Sequence, residues 1–361
     1  MNKLNRQYEI IKSLETENGA FYASASSDYS KVWLRDSMYI ALAYIDKTCN
    51  TFERAIQAHL DYFRQYEWKL DIHLKQKPHA WFEFMHIRYS AHDMKEIEDQ
   101  EWAHVQLDAY SSFLWAIGMG VKKGKKMLRD EKDKEIIQKL VWYLNTLEYW
   151  RLEESGAWEE QRELRLSSLG ACVAALEIIS DIVFVPAELI ARGFEALYSL
   201  FPNETPTRKV DLFQLTLIYP YNILPRPMAQ LIIHNVEKEL LKDKAVLRYC
   251  GDSYFSTLEK EHGRNHPKEF FYGSEAQWVF GLSFLALSHM TMGNLEKGKY
   301  YIERTEKLIL DDGNIPELYF AGDYRDEYGN NYNENNPLCW SVSMHIQAVE
   351  MYEKLNKKQL T

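Results

Sequence analysis

The amino-acid sequence predicts an all-α protein in which twelve helices form a closed double ring of six hairpins, an (α/α)6 barrel. Helical periodicity extends over most of the 361 residues, and strand patterns are nearly absent. Short and long connections alternate between the predicted helices, and a short connection produces an antiparallel hairpin. No low-complexity linker interrupts this pattern, so we expect a single domain over residues 1–361.

The helices are predicted from apolar periodicity and from the residues that begin and end helices. Asn50 with Glu53, and Ser274 with Gln277, are typical of capping boxes at two of the starts. Asn294 is in the right place to begin a later helix. The predicted ranges are 2–15, 37–47, 51–67, 104–122, 130–148, 166–181, 185–199, 208–218, 226–241, 273–291, 294–310 and 337–355.

Five of the six long connections contain clusters of aromatic and charged residues. Loops of this length in a compact domain are usually functional. Alternate connections gather at one end of a ring of hairpins, so we expect a polar and aromatic site there. An open superhelix of helix pairs is the alternative, but the sequence has no repeat of the kind such stacks show. The long connections are 16–36, 68–103, 149–165, 200–207, 242–272 and 311–336.

Composition excludes several classes of protein. A net charge of −10 leaves no basic surface to neutralise phosphates, which argues against a nucleic-acid partner. The longest strongly apolar run, Trp278 to Leu287, is too short to span a bilayer, and the N-terminal residues lack the apolar stretch of a secretory signal. The four cysteines are scattered singly, which favours reduced thiols. We expect a cytoplasmic protein with no membrane partner, no metal and no cofactor.

The first cluster ends the connection 16–36. Arg35 and Asp36 precede an apolar helix, so Asp36 could simply cap that helix. A sugar site offers another use, because adjacent arginine and aspartate side chains can donate to and accept from neighbouring hydroxyls. In that case Tyr29 and Trp33 would supply walls of the pocket.

The second cluster enters a predicted helix with every second position occupied by a polar or aromatic residue. Trp102, His104, Gln106 and Asp108 have this spacing, which favours an extended approach that presents one face. A metal at His104 is disfavoured, because Asp108 alone is spaced to share it.

The third cluster is rich in Glu, Gln and Arg, which is commonly a solvated charged segment. Trp158 beside Glu159 and Glu160 suggests more than that. A carboxyl packed on a tryptophan is partly desolvated, which favours the protonated form that a general acid needs.

Two further clusters follow in the C-terminal half. Arg248, Asp252 and Tyr254 combine charge with an aromatic ring, although Asp252 could also belong to a plain turn. Glu317 stands alone among apolar neighbours, as either a structural or a functional carboxylate. Two carboxylates on opposed loops would suit glycoside hydrolysis. With 53 acidic residues in the chain, the pattern alone selects no pair.

Taken in order, the clusters resemble glycoside hydrolase family 15, the glucoamylases, and even more closely the related catalytic-like domain of the phosphorylase kinase α and β subunits. The resemblance covers nearly the whole chain and includes a residue corresponding to the catalytic base, Glu317. The matched residues are Tyr29, Trp33, Arg35 and Asp36 in the subsite for the non-reducing glucose, Trp102, Gln106 and Asp108, the pair Trp158 and Glu159 with the binding carboxylate Glu160, Arg248, Asp252 and Tyr254, and Leu338, Trp340 and Ser341.

The resemblance implies an exo-acting hydrolase that releases terminal α-linked glucose with inversion. Glu159 would be the general acid, and Glu317 would deprotonate a water held between itself and Tyr29. Such a pair stands about 6.5–9.5 Å apart, to leave room for the water. Small soluble α-gluco-oligosaccharides are the expected substrates, since no starch-binding module is recognised in the sequence.

Two departures from the glucoamylase pattern affect the leaving-group side. Gly156 replaces an aspartate that fungal glucoamylases carry near the acid, and His104 replaces an arginine. Two other functions stay open. The chain could be a non-catalytic glucan-binding or regulatory module, as the kinase-subunit likeness permits, or it could carry out another barrel chemistry such as phosphorolysis.

Overall fold

The structure is a computed structural model that describes residues 3–360. Helices dominate the described chain, and its strands are only two or three residues long, which confirms the all-α prediction. The chain divides into two compact units. We call Leu14–Ala23 with Asp28–Lys209 the N-terminal unit, and Met1–Ser13 with Ser24–Ser27 and Val210–Thr361 the C-terminal unit. One domain over residues 1–361 stays a prediction.

The elements of the described chain are numbered in sequence order. The helices are α1 (Lys3–Ser13), α2 (Leu34–Ala41), α3 (Thr51–Gln65), α4 (Glu67–His73), α5 (Leu107–Lys122), α6 (Glu131–Leu147), α7 (Leu166–Ile179), α8 (Ala187–Leu200), α9 (Arg226–Glu239), α10 (Thr257–His262), α11 (Phe280–Thr291), α12 (Leu295–Glu306) and α13 (Cys339–Leu360). The strands are β1 (Lys31–Trp33), β2 (Arg88–Ser90), β3 (Gln277–Trp278) and β4 (Leu318–Tyr319).

Helix boundaries account for most of the differences from the prediction. The predicted helix 208–218 is a 3₁₀ helix over Leu212–Leu217. The predicted helix 273–291 begins only at Phe280, because Gln277 belongs to strand β3. Helix α10, and all of α4 after its first residue Glu67, lie inside segments that were predicted to be loops.

The predicted caps had different outcomes. Asn294 caps α12, because its side chain accepts a hydrogen bond of 3.1 Å from the Lys297 amide. Asn50 lies at the N-cap of α3 but makes no capping bond with its side chain. The capping box predicted at Ser274 is wrong, since Gln277 uses its side-chain oxygen to accept from two loop amides.

The core of the N-terminal unit is built around two helices, α5 and α7, that are buried on almost every face. Helices α5 and α7 are apolar nearly all round and pack against each other. Gly118 permits this close packing, because a Cβ there would lie 2.7 Å from Ile178 Cγ2. Helices α3, α6 and α8 bury only one face, as surface helices do.

The C-terminal unit repeats this arrangement. Helix α11 is buried along its length and packs against α12 and α13. Helix α1 packs against α13, and Tyr8 donates a hydrogen bond of 2.8 Å to Glu350 Oε1. None of the described helices in either unit is long and apolar enough to cross a membrane.

Each unit also contains one short antiparallel strand pair beside a residue of the candidate site. Strands β1 and β2 place Trp33 opposite Arg88. Strands β3 and β4 place Trp278 opposite Leu318, the residue that follows Glu317. The ladder hydrogen bonds therefore fix the backbone at the point where each cluster begins.

Candidate active site

In the N-terminal unit, Glu159 lies on a loop whose two ends are joined by backbone hydrogen bonds. Glu154 and Glu163 exchange two N–H···O bonds of 3.0 Å, and we call the enclosed residues 155–162 the Glu159 loop. The Ser155 amide donates to the Val105 carbonyl at 2.8 Å. The loop is therefore anchored to the segment that enters α5.

The Glu159 side chain is held through one of its two oxygens. Oε1 accepts from Trp33 Nε1 and from Gln106 Nε2, both at 3.1 Å. Oε2 accepts no hydrogen bond from the residues that the structure describes. The backbone of Glu159 has a φ of 59°, in the left-handed region that costs a non-glycine residue conformational energy.

Arg35 connects three of the predicted motifs. Its Nη1 donates to Gln106 Oε1 at 2.7 Å and to Asp108 Oδ2 at 3.0 Å, and its Nη2 donates to the Ala157 carbonyl at 2.9 Å. Burial alone would lower the pKa of Arg35, but the carboxylates of Asp108, Asp36 and Glu159 raise it above its usual value. Arg35 is therefore a permanent buried cation that fixes the Glu159 loop to α5.

A row of aromatic rings lies beside these residues. The ring centroids of Tyr29 and Trp33 are 5.3 Å apart, and Trp102 meets Trp33 edge-on at 6.4 Å. The guanidinium carbon of Arg88 is 3.4 Å from the centroid of Trp102. Sequence reasoning missed Arg88. Burial lowers the pKa of this arginine to about 10, and the charge of Glu159 opposes that change.

Other predicted residues of this unit have structural partners. Glu160 Oε2 accepts from Arg208 Nη2 at 2.6 Å, in a half-buried ion pair. Asp36 is buried in the first turn of α2 and is not its cap, because Trp33 holds the N-cap position. The predicted packing of Trp158 on Glu159 stays a prediction.

The structure gives physical reasons for both departures from the glucoamylase pattern. Gly156 has a φ of 64°, and a Cβ at this position would overlap the side chain of Arg165, so an aspartate does not fit. His104 is buried and stacks on His86 with a centroid distance of 3.7 Å. Burial lowers the pKa of His104 to about 2, so its imidazole is neutral.

In the C-terminal unit, the predicted Arg248 and Asp252 form a two-pronged ion pair. Arg248 Nε and Nη2 donate to the two carboxylate oxygens of Asp252 at 2.6 and 2.7 Å. The guanidinium carbon of Arg248 lies 4.8 Å from the centroid of Tyr254 and 5.0 Å from that of Trp278. A buried cation flanked by two rings is thus held in one orientation.

Glu317, in the same unit, is buried and accepts two side-chain hydrogen bonds on one oxygen. Its Oε2 receives Nδ2 of Asn333 at 2.5 Å and Nδ2 of Asn335 at 2.7 Å. Asn335 is held in turn by Ser26, whose hydroxyl donates to Asn335 Oδ1 at 2.7 Å. The Glu317 amide also donates to the Asn335 carbonyl at 3.0 Å.

Trp340, the last predicted binding residue, belongs to an aromatic cluster of the C-terminal unit. Its ring stacks on Phe280 with centroids 4.8 Å apart and an interplanar angle of 6°. Phe213 and Phe284 meet it edge-on. Only 5% of Trp340 is exposed, so much of its area contributes to the core.

Sequence reasoning missed the asparagines that orient Glu317. A signal was present, because the segment 330–336 contains five asparagines. Asparagine amides are common partners of carboxylates, yet the same composition is typical of an ordinary surface loop. Glu154 and Arg165 were also missed, since they belong to a charged segment that resembles solvated sequence.

Comparisons with known structures define the class of fold. A glycosidase variant in complex with glucose has a TM-score of 0.80 and 17% identity, covering 97% of this chain and 96% of the other. A glucoamylase from Saccharomycopsis fibuligera has a TM-score of 0.67 and 13% identity, covering 98% of this chain and 95% of the other. The protein therefore has the six-hairpin (α/α)6 fold of the glucoamylases, as the sequence predicted.

Sequence comparison gives the family. The family model for glycosyl hydrolases family 15 matches residues 5–185, half of the chain, and the chain belongs to this family. A probable phosphorylase b kinase regulatory subunit alpha from Caenorhabditis elegans is 24% identical over 360 residues, which cover 86% of this chain. The match spans only 29% of that longer protein. Both likenesses predicted from the motifs are confirmed.

Proposed function

We propose that the protein is an inverting, exo-acting α-glucosidase that removes terminal α-linked glucose from small soluble oligosaccharides. Glu159 is the general acid in this proposal, and Glu317 is the general base. The observation that carries the proposal is the hydrogen bonding of Glu159, which leaves one particular oxygen for a proton.

The two donors on Glu159 Oε1 determine where the acidic proton resides. Trp33 and Gln106 both direct N–H groups at Oε1, so a proton on that oxygen would meet two other hydrogens. The protonated form therefore carries its hydrogen on Oε2, which has no partner among the described residues. A glycosidic oxygen placed at Oε2 would receive this proton as the bond breaks.

The surroundings of Glu317 suit a base. The Asn333 and Asn335 amides offer hydrogens to Oε2, and such bonds are strongest when the carboxyl is ionised. An ionised carboxylate can take a proton from water, and water then attacks the anomeric carbon. The products are β-glucose and an oligosaccharide shortened by one unit, with the proton of the water on Glu317 and that of Glu159 on the leaving oxygen.

Substrate recognition is assigned to the charged residues of each unit. Arg35 with Asp36, and Arg248 with Asp252, would bind hydroxyls of the terminal glucose, and the rings of Tyr29 and Trp33 would contact its carbon faces. One of the structural relatives is described as a glycosidase in complex with glucose, which supports a glucose-binding role.

An NMR time course on a panel of α-gluco-oligosaccharides tests this function. We expect β-glucose to appear first and then mutarotate, and the substrate that is cleaved fastest would identify the linkage. Glu159→Gln and Glu317→Gln should each lower kcat by about 100-fold or more. Release of α-glucose, or full activity in the Glu317→Gln variant, would refute the mechanism.

A non-catalytic glucan-binding module is the second candidate, because the curated relatives are described as regulatory subunits of phosphorylase b kinase. The chain spans less than a third of the length of those relatives. This alternative predicts saturable binding of an oligosaccharide by calorimetry with no glucose released from any member of the panel. A requirement for added phosphate, with glucose 1-phosphate as the product, would instead indicate phosphorolysis.

A further inference from the structure

A buried carboxylate that the proposed mechanism does not use lies at the base of the Glu159 loop. Glu154 has 0% exposure, and its backbone closes the loop by pairing with Glu163. Its side chain contacts residues in the first turns of α5 and α7.

Every polar contact of the Glu154 carboxylate is with a donor. Oε2 accepts from the Gly156 amide at 2.8 Å and from the Leu107 amide at 3.3 Å. Oε1 accepts from the Ser168 hydroxyl at 2.9 Å, and Arg165 Nε lies 3.6 Å away. One side chain thus joins the first residues of the Glu159 loop to the N-terminal turns of both inner helices.

Two of the residues that Glu154 binds also adjoin a partner of Glu159 or contact Glu159 itself. Leu107 directly follows Gln106, whose side chain donates to Glu159 Oε1. Gly156 accepts on its carbonyl oxygen the hydrogen bond of the Glu159 amide, at 3.2 Å. Glu154 therefore binds Leu107, which adjoins Gln106, and Gly156, which forms the turn beneath Glu159.

Keeping a carboxylate at this position has an energetic cost. Burial raises the pKa of Glu154 to about 7, against the effect of Arg165, and the nearby Asp108 raises it further. An apolar side chain would fill the same space without that desolvation penalty. It could not, however, accept hydrogen bonds from two amides and a hydroxyl. The carboxylate therefore fixes the position of the Glu159 loop at a cost in stability.

We propose that Glu154 is a positioning residue that holds Glu159 in the orientation for proton transfer. This inference rests on the proposed function of Glu159. It assigns to Glu154 an effect on the protonation of the leaving group and none on attack by water. Replacing Glu154 should therefore lower the rate most for substrates whose leaving group needs protonation.

Substrates with different leaving groups provide the test. A sugar leaving group departs as an alkoxide and needs protonation, whereas the fluoride of α-glucosyl fluoride departs with little help. We expect Glu154→Gln to lower kcat/KM for the best oligosaccharide by about 10- to 100-fold, the cost of a misplaced catalytic group. With α-glucosyl fluoride the same variant should retain wild-type activity within about three-fold. Glu159→Gln, measured in parallel, should show the same selectivity more strongly.

Glu163→Gln is the matched control. It removes a carboxylate from the other end of the same backbone pair, where, among the described residues, the side chain accepts only from the Thr207 hydroxyl. Both substrates should react at the wild-type rate in this variant. Ser168→Ala, which removes a single donor to Glu154, serves as a milder variant if Glu154→Gln folds poorly. It should show a smaller loss with the same selectivity for oligosaccharides.

Equal losses on the two substrates would overturn the inference, since they indicate general damage to the fold, and so would an undiminished rate on oligosaccharides. If the wild-type protein cleaves neither substrate, the proposed function fails, and hydrogen exchange then decides the role of Glu154. The amides of residues 155–162 should be about ten-fold less protected in Glu154→Gln than in Glu163→Gln. Equal protection would refute positioning independently of activity.

Discussion

Single residues show a common pattern around the two candidate carboxylates. Glu159 receives two side-chain donors on Oε1, and Glu317 receives two on Oε2. In both cases the donors fix the plane of the carboxylate and occupy one oxygen. The donors differ in kind, because those at Glu159 come from an indole and an amide and those at Glu317 from two amides.

The asparagines beside Glu317 should affect catalysis more than stability. We expect Asn335→Ala to lower kcat by about ten-fold, since the proposed base would keep only one of its two asparagine donors and lose part of its alignment with water. Steady-state kinetics on the best oligosaccharide would measure this. Glu334→Gln, at the exposed position between the two asparagines, should leave kcat unchanged. An unaltered kcat in Asn335→Ala would contradict the role given to this amide.

The backbone of Glu159 predicts an unusual order of stabilities. Because its φ of 59° suits glycine, Glu159→Gly should be more stable than Glu159→Ala by about 1 kcal/mol. Denaturant unfolding of the two variants would give the difference. Both lack the carboxylate, so lost contacts cancel in the comparison. Equal stabilities, or a more stable alanine variant, would show that the backbone relaxes when the side chain is removed.

Secondary-structure elements show where apolar periodicity stops being informative. The pattern over 208–218 predicts a helix, but the structure has a 3₁₀ helix. Asp211 begins it with a capping box, and Pro220, which has no amide hydrogen to donate, follows three residues after its end. Gln277 was predicted to complete a capping box with Ser274, yet its side chain accepts from two loop amides that are distant in sequence.

Packing of α5 on α7 gives a prediction for one glycine. Gly118→Ala should destabilise the protein by about 1–3 kcal/mol, because the added Cβ would lie 2.7 Å from Ile178 Cγ2, near the stem of that side chain. The higher helix propensity of alanine offsets only part of this cost. Urea unfolding measures the change, and Ile178→Ala in the same chain should remove much of it. Additive effects of the two substitutions would exclude a direct clash.

Residues that belong to short motifs were the most predictable part of the site. Arg35, Gln106 and Asp108 were singled out from the sequence, and the structure joins them by direct hydrogen bonds. Arg88 and Glu154 could not be found in this way, because their importance depends on which loop approaches which helix end. Apolar periodicity reports the residue types along a chain. These contacts depend instead on tertiary packing between residues that are far apart in sequence.

Over the whole molecule, buried histidines should dominate the acid response. Burial lowers the pKa values of four histidines that are at most 3% exposed, to about 3 for two of them and to about 2 and 4 for the others. Unfolding restores a pKa near 6.5, so the unfolded chain binds more protons below that pH. Stability is therefore lost as pH falls below about 6.5. The residues are His59, His86, His104 and His345.

We expect the free energy of unfolding to fall by roughly 4 kcal/mol per pH unit between pH 6 and pH 5. Each histidine contributes about 1.4 kcal/mol per pH unit to this fall. Glu154 has a raised pKa, so it binds a proton in the folded state and offsets the contribution of about one histidine. Denaturant titrations at pH 7, 6 and 5 give the slope. His345→Gln should lower this slope by about 1.4 kcal/mol per pH unit. A flat profile would mean that these rings are protonated in the folded state.

The left-handed backbone at Glu159 also bears on how such a protein could change under selection. A lineage that no longer needed the proposed hydrolysis would find glycine the replacement with the lowest backbone cost at this position, since glycine relieves the local strain. Drift at this position would therefore favour glycine over alanine. The presence of glutamate here, at a conformational cost, is what continued selection for a functional carboxylate would leave behind.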